Sequence, residues 1–334
     1  MHAGLAKLVD RGAIQLAQMA IWRLTKGSRP VGVAPIKDDD FFEETAVTAP
    51  ELSFTTKTAF QFTSPFTAAS VENNTVYGRL YRCGTDWQQR PAVILMHGWD
   101  CDFCYRFQFP LLARRLCRLG VNAAMLELPY HCHRRPRGEN AVRDFISNDL
   151  ESVREAIQQS IADIRALVRW MRTESCPSVG LWGSSLGGWL CGLVACTDDA
   201  ADFAALVTPV GKISRATEEL AFCGPIRQGL QRHKISLARL NLVAHHPRIS
   251  PDKLLIVESK YDQFAPVETV EELWRAWGQC DIMRVNHGHI SVLLSLPIME
   301  RVMKWISRAA QPAVGNGCGL SRRGLARLVG RTML

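Results

Sequence analysis

The spacing of apolar and polar residues changes at about residue 91. Before it, residues 52–62 and 76–81 alternate apolar with polar side chains, as half-buried antiparallel strands do. After it, short continuous apolar runs alternate with stretches of helical spacing, which predicts a parallel sheet covered by helices on both faces. Those runs lie at 92–96, 122–128, 179–182, 203–207, 254–257 and 282–285. The sequence therefore predicts an α/β fold with a mostly parallel central sheet, antiparallel strands at its N-terminal edge and helices on both faces.

Helical spacing also divides the chain into regions. The longer helices are predicted at 1–25, 111–119, 149–172, 266–278 and 290–308. The first is amphipathic, and we expect it to dock on the body of the protein, with a peripheral membrane contact as the alternative. Residues 27–40 are rich in Gly and Pro and are interpreted as a linker. We expect an N-terminal helix and linker over 1–40, one α/β domain over 41–310 and a basic tail over 311–334. Residues 212–250 are longer than a simple crossover between two strands requires, and they are a candidate for a small helical cap over the site.

The composition is that of an ordinary globular protein, with 47% apolar and 22% charged residues among 334. The longest apolar runs are shorter than a membrane span, and Asp10, Arg11 and Gln15 interrupt the N-terminal one, which is therefore unlike a signal peptide. The 11 cysteines are scattered and odd in number, which argues against a disulfide framework and favours a reducing, cytoplasmic location. Cys101 and Cys104 form a C-x-x-C without a second pair at zinc-site spacing. We expect no metal and no other cofactor.

The formal net charge is +8, and the segment 322–331 contains four arginines without an acid. Such an excess attracts nucleic acid, anionic membranes or acidic substrates, whereas a solvated surface needs no partner. We favour the solvated surface and expect no nucleic-acid partner. The oligomeric state is left open.

One short motif carries the candidate chemistry. The apolar run 179–182 leads directly into Gly183-Ser184-Ser185-Leu186-Gly187, a match to G-x-S-x-G, and an apolar helical segment follows. A strand that turns sharply into a helix through this motif lifts the central serine out of the sheet. The flanking glycines permit the tight turn, because they carry no Cβ atom. Ser185 is the candidate nucleophile.

A serine hydroxyl needs a base to remove its proton and a further group to orient that base. In a parallel sheet these partners stand on loops at the carboxyl ends of strands. Asp262 follows the predicted strand 254–257, and His289 follows the strand 282–285. Glu258 and His287 are the rival acid and base on the same two loops. The order serine, acid, histidine is the one expected with this kind of turn.

With these residues in place, the segment from about 90 to 308 resembles the α/β-hydrolase superfamily. Asp262 and Pro266 are similar to its D-x-x-x-P after the penultimate strand, and Gly288-His289 to the G-H that carries the base. His97-Gly98-Trp99, after the strand 92–96, is similar to its oxyanion loop. The match does not assign a subfamily.

The resemblance implies roles for individual residues. Ser185 would attack a carbonyl carbon, His289 would transfer the proton and Asp262 would orient His289. The backbone N–H groups of Trp99 and Leu186 would stabilise the oxyanion. His97 would shape that loop.

The loop 129–138 follows another strand, so its start is expected on the rim of the site. Tyr130 and His131, together with His97, are further candidates for contact with substrate. Arg134, Arg135 and Arg137 are candidates for holding an anionic group, but a solvated loop is the interpretation that we favour.

The function expected from these residues is a serine hydrolase that cleaves a carboxylic ester or thioester through an acyl-enzyme on Ser185. The partner would be a small acyl substrate, with an anionic one included. An acyltransferase or a peptidase on the same fold is the enzymatic alternative. A binding or scaffold protein that keeps the turn as structure only is the non-enzymatic one. Acyl length is not readable from the sequence.

Overall fold

The computed structural model describes residues 1–25, 46–136, 145–197 and 201–311. The predicted linker at 27–40, Arg137 and the basic tail from residue 312 lie outside these ranges.

Nine strands within the described ranges form one sheet. They are β1 (Ser53–Phe54), β2 (Ala59–Thr63), β3 (Thr75–Tyr81), β4 (Ala92–Met96), β5 (Asn122–Leu126), β6 (Val179–Ser184), β7 (Phe203–Val207), β8 (Leu254–Ser259) and β9 (Asp281–Val285). Their order across the sheet is β1-β2-β3-β5-β4-β6-β7-β8-β9. The first three pairs in this order, β1–β2, β2–β3 and β3–β5, are antiparallel. All the remaining pairs, from β5–β4 to β8–β9, are parallel. The predicted mixed sheet is therefore confirmed.

Helices cover both faces of this sheet. They are α1 (Ala3–Thr25), α2 (Phe109–Arg118), α3 (Leu150–Thr173), α4 (Leu186–Thr197), α5 (Ile213–Glu219), α6 (Gly224–His233), α7 (Val267–Ala276), α8 (His289–Leu293) and α9 (Leu296–Ala309). Ile94 and Met96 of β4 share one core with α3 and α4, whereas Val93 and Leu95 share the opposite core with α2 and α9. This alternation explains the continuous apolar runs, because successive side chains of a strand point to opposite faces.

The helical stretch predicted over 290–308 is divided in the structure into α8 and α9, with a short break between them. Pro297 lies in the first turn of α9. Proline has no backbone N–H, and inside a continuous helix its ring would clash with the carbonyl of Leu293, four residues earlier. The break shortens α8 to a single turn that begins at His289.

Two peripheral parts approach the carboxyl edge of the sheet. The segment 213–244 forms α5, α6 and short 3₁₀ turns after β7. Helix α1 packs against α8 and against the turn 221–223, with Ala6, Asp10 and Ile21 buried. None of the helices in the described ranges is both long and apolar enough to cross a lipid bilayer.

Candidate active site

The turn from β6 into α4 places Ser185 at the carboxyl edge of the sheet. Ser185 has a φ of 55°, a left-handed conformation that is rare for residues with a side chain. The turn is tight on both sides. A Cβ atom on Gly183 would lie 2.1 Å from the carbonyl oxygen of Gly187, and one on Gly187 would lie 2.4 Å from that of His97. Only glycine fits at these positions, which accounts for the motif.

The side chains of Ser185, His289 and Asp262 form one hydrogen-bonded chain. Nε2 of His289 lies 2.7 Å from Oγ of Ser185, and Nδ1 lies 2.7 Å from Oδ2 of Asp262. Because a carboxylate only accepts, Nδ1 carries the ring proton and Nε2 is left to accept the hydroxyl proton. The second oxygen of Asp262 accepts the backbone N–H groups of Phe264 and Ala265, each at 2.8 Å. The structure thus brings together the three residues that the chain order had placed on neighbouring loops.

The surroundings of His289 raise the pKa of its imidazole. Burial lowers the pKa of His289, but the charge of Asp262, the hydrogen bond to it and the charge of Asp10 outweigh burial and raise this pKa above its ordinary 6.5. A raised pKa makes the imidazole a stronger base for the hydroxyl proton of Ser185.

The rival acid and base lie elsewhere. Glu258 points from β8 towards Arg284 of β9, at 3.9 Å, and burial together with the neighbouring Glu271 raises the pKa of Glu258 to about 7. Nδ1 of His287 lies 3.3 Å from Oγ of Ser291. Neither Glu258 nor His287 makes the hydrogen bonds that join Ser185, His289 and Asp262.

The loop after β4 passes directly beside the serine. A Cβ atom on Gly98 would lie 3.2 Å from Cβ of Ser185, so the backbone approaches closely. Trp99 and Leu186 line the same cavity as Ser185. The backbone N–H of Asp100, which follows Trp99, donates to Nε2 of His131 at 3.0 Å. This bond fixes the far end of the loop.

His97 and His131 are buried behind that loop and do not line the cavity, so the expectation that they contact substrate is corrected. Each ring carries its proton on Nδ1, which donates at 2.8 Å to the carbonyl of Gly98 for His97 and of Pro129 for His131. Nε2 of His97 accepts the N–H of Leu128 at 3.2 Å. Burial lowers the pKa of both residues, and together with the neighbouring His97 it lowers that of His131 to about 3. They are neutral supports for the loop.

Tyr130 is also buried, only 3% exposed, and its backbone N–H donates to Asn73. The same correction applies to it, since its side chain does not line the cavity either.

Arg134 does not offer its charge to an anion. Its side chain is fully buried, and Nη1 lies 2.8 Å from Oδ2 of Asp163 while Nη2 donates to the carbonyl of Asn73 at 2.6 Å. A buried guanidinium is retained where a carboxylate and further acceptors satisfy it. Arg135, partly exposed, pairs with Asp102 at 3.3 Å. Arg134 is therefore neither part of an anion site nor part of a solvated loop, and it ties the loop to α3.

A cavity of about 160 Å³ opens at Ser185 and His289. Helices α3, α5 and α6 and the following turns supply most of its wall. Examples are Ile157, Ile213, Ala216, Ile226, Leu237 and Leu240. Among the lining residues that the structure describes there is no Asp, Glu, Lys or Arg. Trp99 stacks on Phe222 and Phe264 stacks on His289, with ring centroids 5.4 and 4.6 Å apart. The site therefore joins a polar centre to an apolar chamber.

The position of one residue near the site was not predicted from the sequence. Asp10 of α1 accepts backbone N–H groups from the loops that carry Asp262 and His289. The only local signal was a single acid within an apolar helix. In the part of the chain that the structure describes, no group of three His, Cys, Asp or Glu residues could hold a metal ion.

The family described as "Alpha/beta hydrolase domain containing 18" matches residues 19–236. The chain belongs to this α/β-hydrolase family. The matched stretch includes Ser185 and ends before Asp262 and His289. A protein described as uncharacterised, from two strains of Mycobacterium tuberculosis, is 28% identical over 243 residues, which cover 69% of this chain and 56% of that protein. The match thus spans about half the length of these relatives.

Solved structures of esterases share the α/β-hydrolase fold. An esterase from Thermogutta terrifontis aligns with a TM-score of 0.53 and 15% identity over 80% of this chain and 95% of its own. An esterase from Pyrococcus furiosus aligns with a TM-score of 0.52 and 14% identity over 84% and 97%. A cold-adapted esterase from an Arctic intertidal metagenomic library aligns with a TM-score of 0.51 and 16% identity over 77% and 97%. These likenesses confirm the α/β-hydrolase fold that the sequence predicted.

Proposed function

We propose that the protein is a serine hydrolase that cleaves a carboxylic ester or thioester with an apolar acyl group. The observation that carries the proposal is the hydrogen-bonded chain Ser185–His289–Asp262 at the mouth of an apolar cavity. A serine that only shaped a turn would need no buried imidazole within hydrogen-bond distance and no carboxylate behind it.

In the proposed reaction, Oγ of Ser185 attacks the carbonyl carbon of the ester while Nε2 of His289 accepts the hydroxyl proton. The carbonyl π electrons move to oxygen, and the backbone N–H groups of Trp99 and Leu186 stabilise that oxyanion. One such donor typically lowers the barrier by about 3 kcal/mol. The intermediate collapses, and the leaving alcohol or thiol takes the proton from His289. Water, deprotonated by His289, then attacks the acyl-enzyme, and proton return to Ser185 releases the acid.

Two further features support an apolar acyl group. The cavity wall is aliphatic and aromatic, and its described part contains no charged side chain that would pair with a charged substrate. Burying a methylene group contributes about 0.8 kcal/mol, so a chain of several carbons gains substantial binding energy there.

The proposal is tested by rapid mixing with nitrophenyl butanoate. Formation and slower hydrolysis of an acyl-enzyme give a burst of about one nitrophenolate per folded molecule. Ser185→Ala is expected to abolish the burst, whereas Ser184→Ala, the adjacent buried serine, is expected to retain it. No burst and no turnover across acetyl to octanoyl esters and thioesters would favour the scaffold alternative. A burst whose acyl group passes to added alcohol rather than to water would favour acyl transfer.

A further inference from the structure

Helix α1 contributes a buried carboxylate to the back of the active site. Asp10 is 0% exposed, and its two oxygens accept three backbone N–H groups. Oδ2 accepts those of His289 at 2.7 Å and Gln263 at 3.1 Å, and Oδ1 accepts that of Ile290 at 3.1 Å. These bonds cross more than 250 residues of sequence. Asp10 is therefore a fixed part of this region.

The three donors belong to both loops of the proposed catalytic apparatus. Gln263 directly follows Asp262, and His289 is the proposed base. The carboxylate thus links the acid loop to the base loop. Gly288 makes the approach possible, because a Cβ atom there would lie 2.7 Å from Oδ2 of Asp10.

We propose that Asp10 is a positioning residue that holds the loops of Asp262 and His289 in their reactive arrangement and adds negative charge beside His289. The inference rests on the proposed function. By this inference, α1 contributes a residue to the catalytic apparatus. Asp10 precedes the family match, which begins at residue 19.

Two physical effects are combined in this role. A buried carboxylate is costly unless hydrogen bonds satisfy it, so the three charge-assisted bonds constrain the backbone on both loops. Burial raises the pKa of Asp10, and the hydrogen bonds from the N–H groups of His289 and Ile290, which lower it, do not fully offset burial. Among the described residues, the charged groups that face His289 are Asp262, which is hydrogen-bonded to the ring, and Asp10. Both favour the imidazolium that forms when Ser185 gives up its proton.

The test compares Asp10→Asn with Asp10→Glu on the full chain, with nitrophenyl butanoate as substrate. In Asp10→Asn, we expect kcat to fall about ten- to a hundredfold with KM within about threefold, because small displacements of reacting groups are costly. The acid limb of the kcat/KM profile should move to lower pH, since one negative charge beside His289 is lost. Asp10→Glu keeps that charge, so its acid limb should stay at the wild-type position and part of kcat should return.

Ile14→Ala is the matched control. Ile14 lies on the same helix and packs against the core, so its truncation weakens the docking of α1 without removing the carboxylate. Its acid limb should coincide with that of the wild type, at a comparable loss of thermal stability. If Asp10→Asn and Ile14→Ala change kcat and the acid limb alike, Asp10 has only a structural role and the inference is overturned.

A second variant decides the question if Asp10→Asn does not fold. Gly288→Ala leaves Asp10 itself unchanged and places a methyl group against its carboxylate. The backbone of Gly288, with a φ of −93°, tolerates alanine. We expect kcat to fall at least tenfold in a folded Gly288→Ala protein, and an unchanged kcat overturns the inference. A wild-type protein without ester hydrolysis would defeat the proposed function itself, whereas an active wild type with an equally active Asp10→Asn defeats only the role of Asp10.

Discussion

Oδ2 of Asp262 lies 2.7 Å from Nδ1 of His289, and both side chains are buried. This contact fixes the tautomer of His289, because the carboxylate can only accept a hydrogen bond. Nε2, on the other side of the ring, is therefore free of a proton and faces the hydroxyl of Ser185.

Asp262→Asn should lower kcat about 10³- to 10⁴-fold, since an amide no longer imposes the productive tautomer. Glu258→Gln is the control, because Glu258 is an acid on the same stretch of chain that faces Arg284 instead. It should keep kcat within about threefold. Steady-state kinetics on nitrophenyl butanoate check both variants, and a larger loss in Glu258→Gln would reassign the acid.

The pH dependence follows from the raised pKa of His289. The imidazole must be neutral to accept the proton of Ser185, so activity is present above this pKa and is lost as the pH falls through it. We expect the acid limb of kcat/KM to have its midpoint above pH 6.5. A profile measured at constant ionic strength checks this expectation. A midpoint below pH 6 would show that the net effect of burial and the two carboxylates has the opposite sign.

Acyl selectivity should follow the apolar cavity. From acetyl to octanoyl esters, kcat/KM should rise by up to about fourfold per methylene until the cavity is filled, which corresponds to about 0.8 kcal/mol each. Ala216→Leu narrows the cavity and should shift the optimum to shorter chains. Glu219→Leu, an exposed position on the same helix, should leave the optimum unchanged. A flat series in the wild-type protein would show that the acyl group binds elsewhere.

Arg134 should matter for stability. Arg134→Met leaves Asp163 buried without its charged partner and should lower the free energy of unfolding by about 3–5 kcal/mol. Arg135→Met, whose partly exposed ion pair involves Asp102, should cost about 1 kcal/mol or less. Urea unfolding measures both, and kcat per folded molecule should be unchanged in each. Equal stability of the two variants, or a selective rise in KM for anionic esters in Arg134→Met, would revive the anion-binding interpretation.

The sheet and the serine turn were predictable because their signals are local. Continuous apolar runs mark strands buried on both faces, and the glycines around Ser185 mark a turn in which a Cβ atom does not fit. Chain order was enough to place Asp262 and His289 on neighbouring loops, since the ends of parallel strands share one edge.

The missed features depend on contacts between distant segments. Asp10 was visible only as a polar interruption of an apolar helix, and its three donors lie more than 250 residues away. Arg134 looked like part of a solvated basic loop, because its partner Asp163 lies on a distant helix. His131 was expected at the rim, whereas its two ring nitrogens are satisfied by backbone groups inside the protein. The sequence around a polar residue does not show whether that residue is buried, because its burial depends on a partner from a distant segment.

The central claim is that Ser185 is an activated nucleophile. It is tested most directly by reaction with a fluorophosphonate, followed by mass spectrometry of the peptide that contains Ser184 and Ser185. We expect one label per folded molecule on Ser185, no label in Ser185→Ala, retained labelling in Ser184→Ala and labelling slowed at least a hundredfold in His289→Ala. An unlabelled wild-type protein that also cleaves no ester, or a label that persists in Ser185→Ala, would contradict the claim.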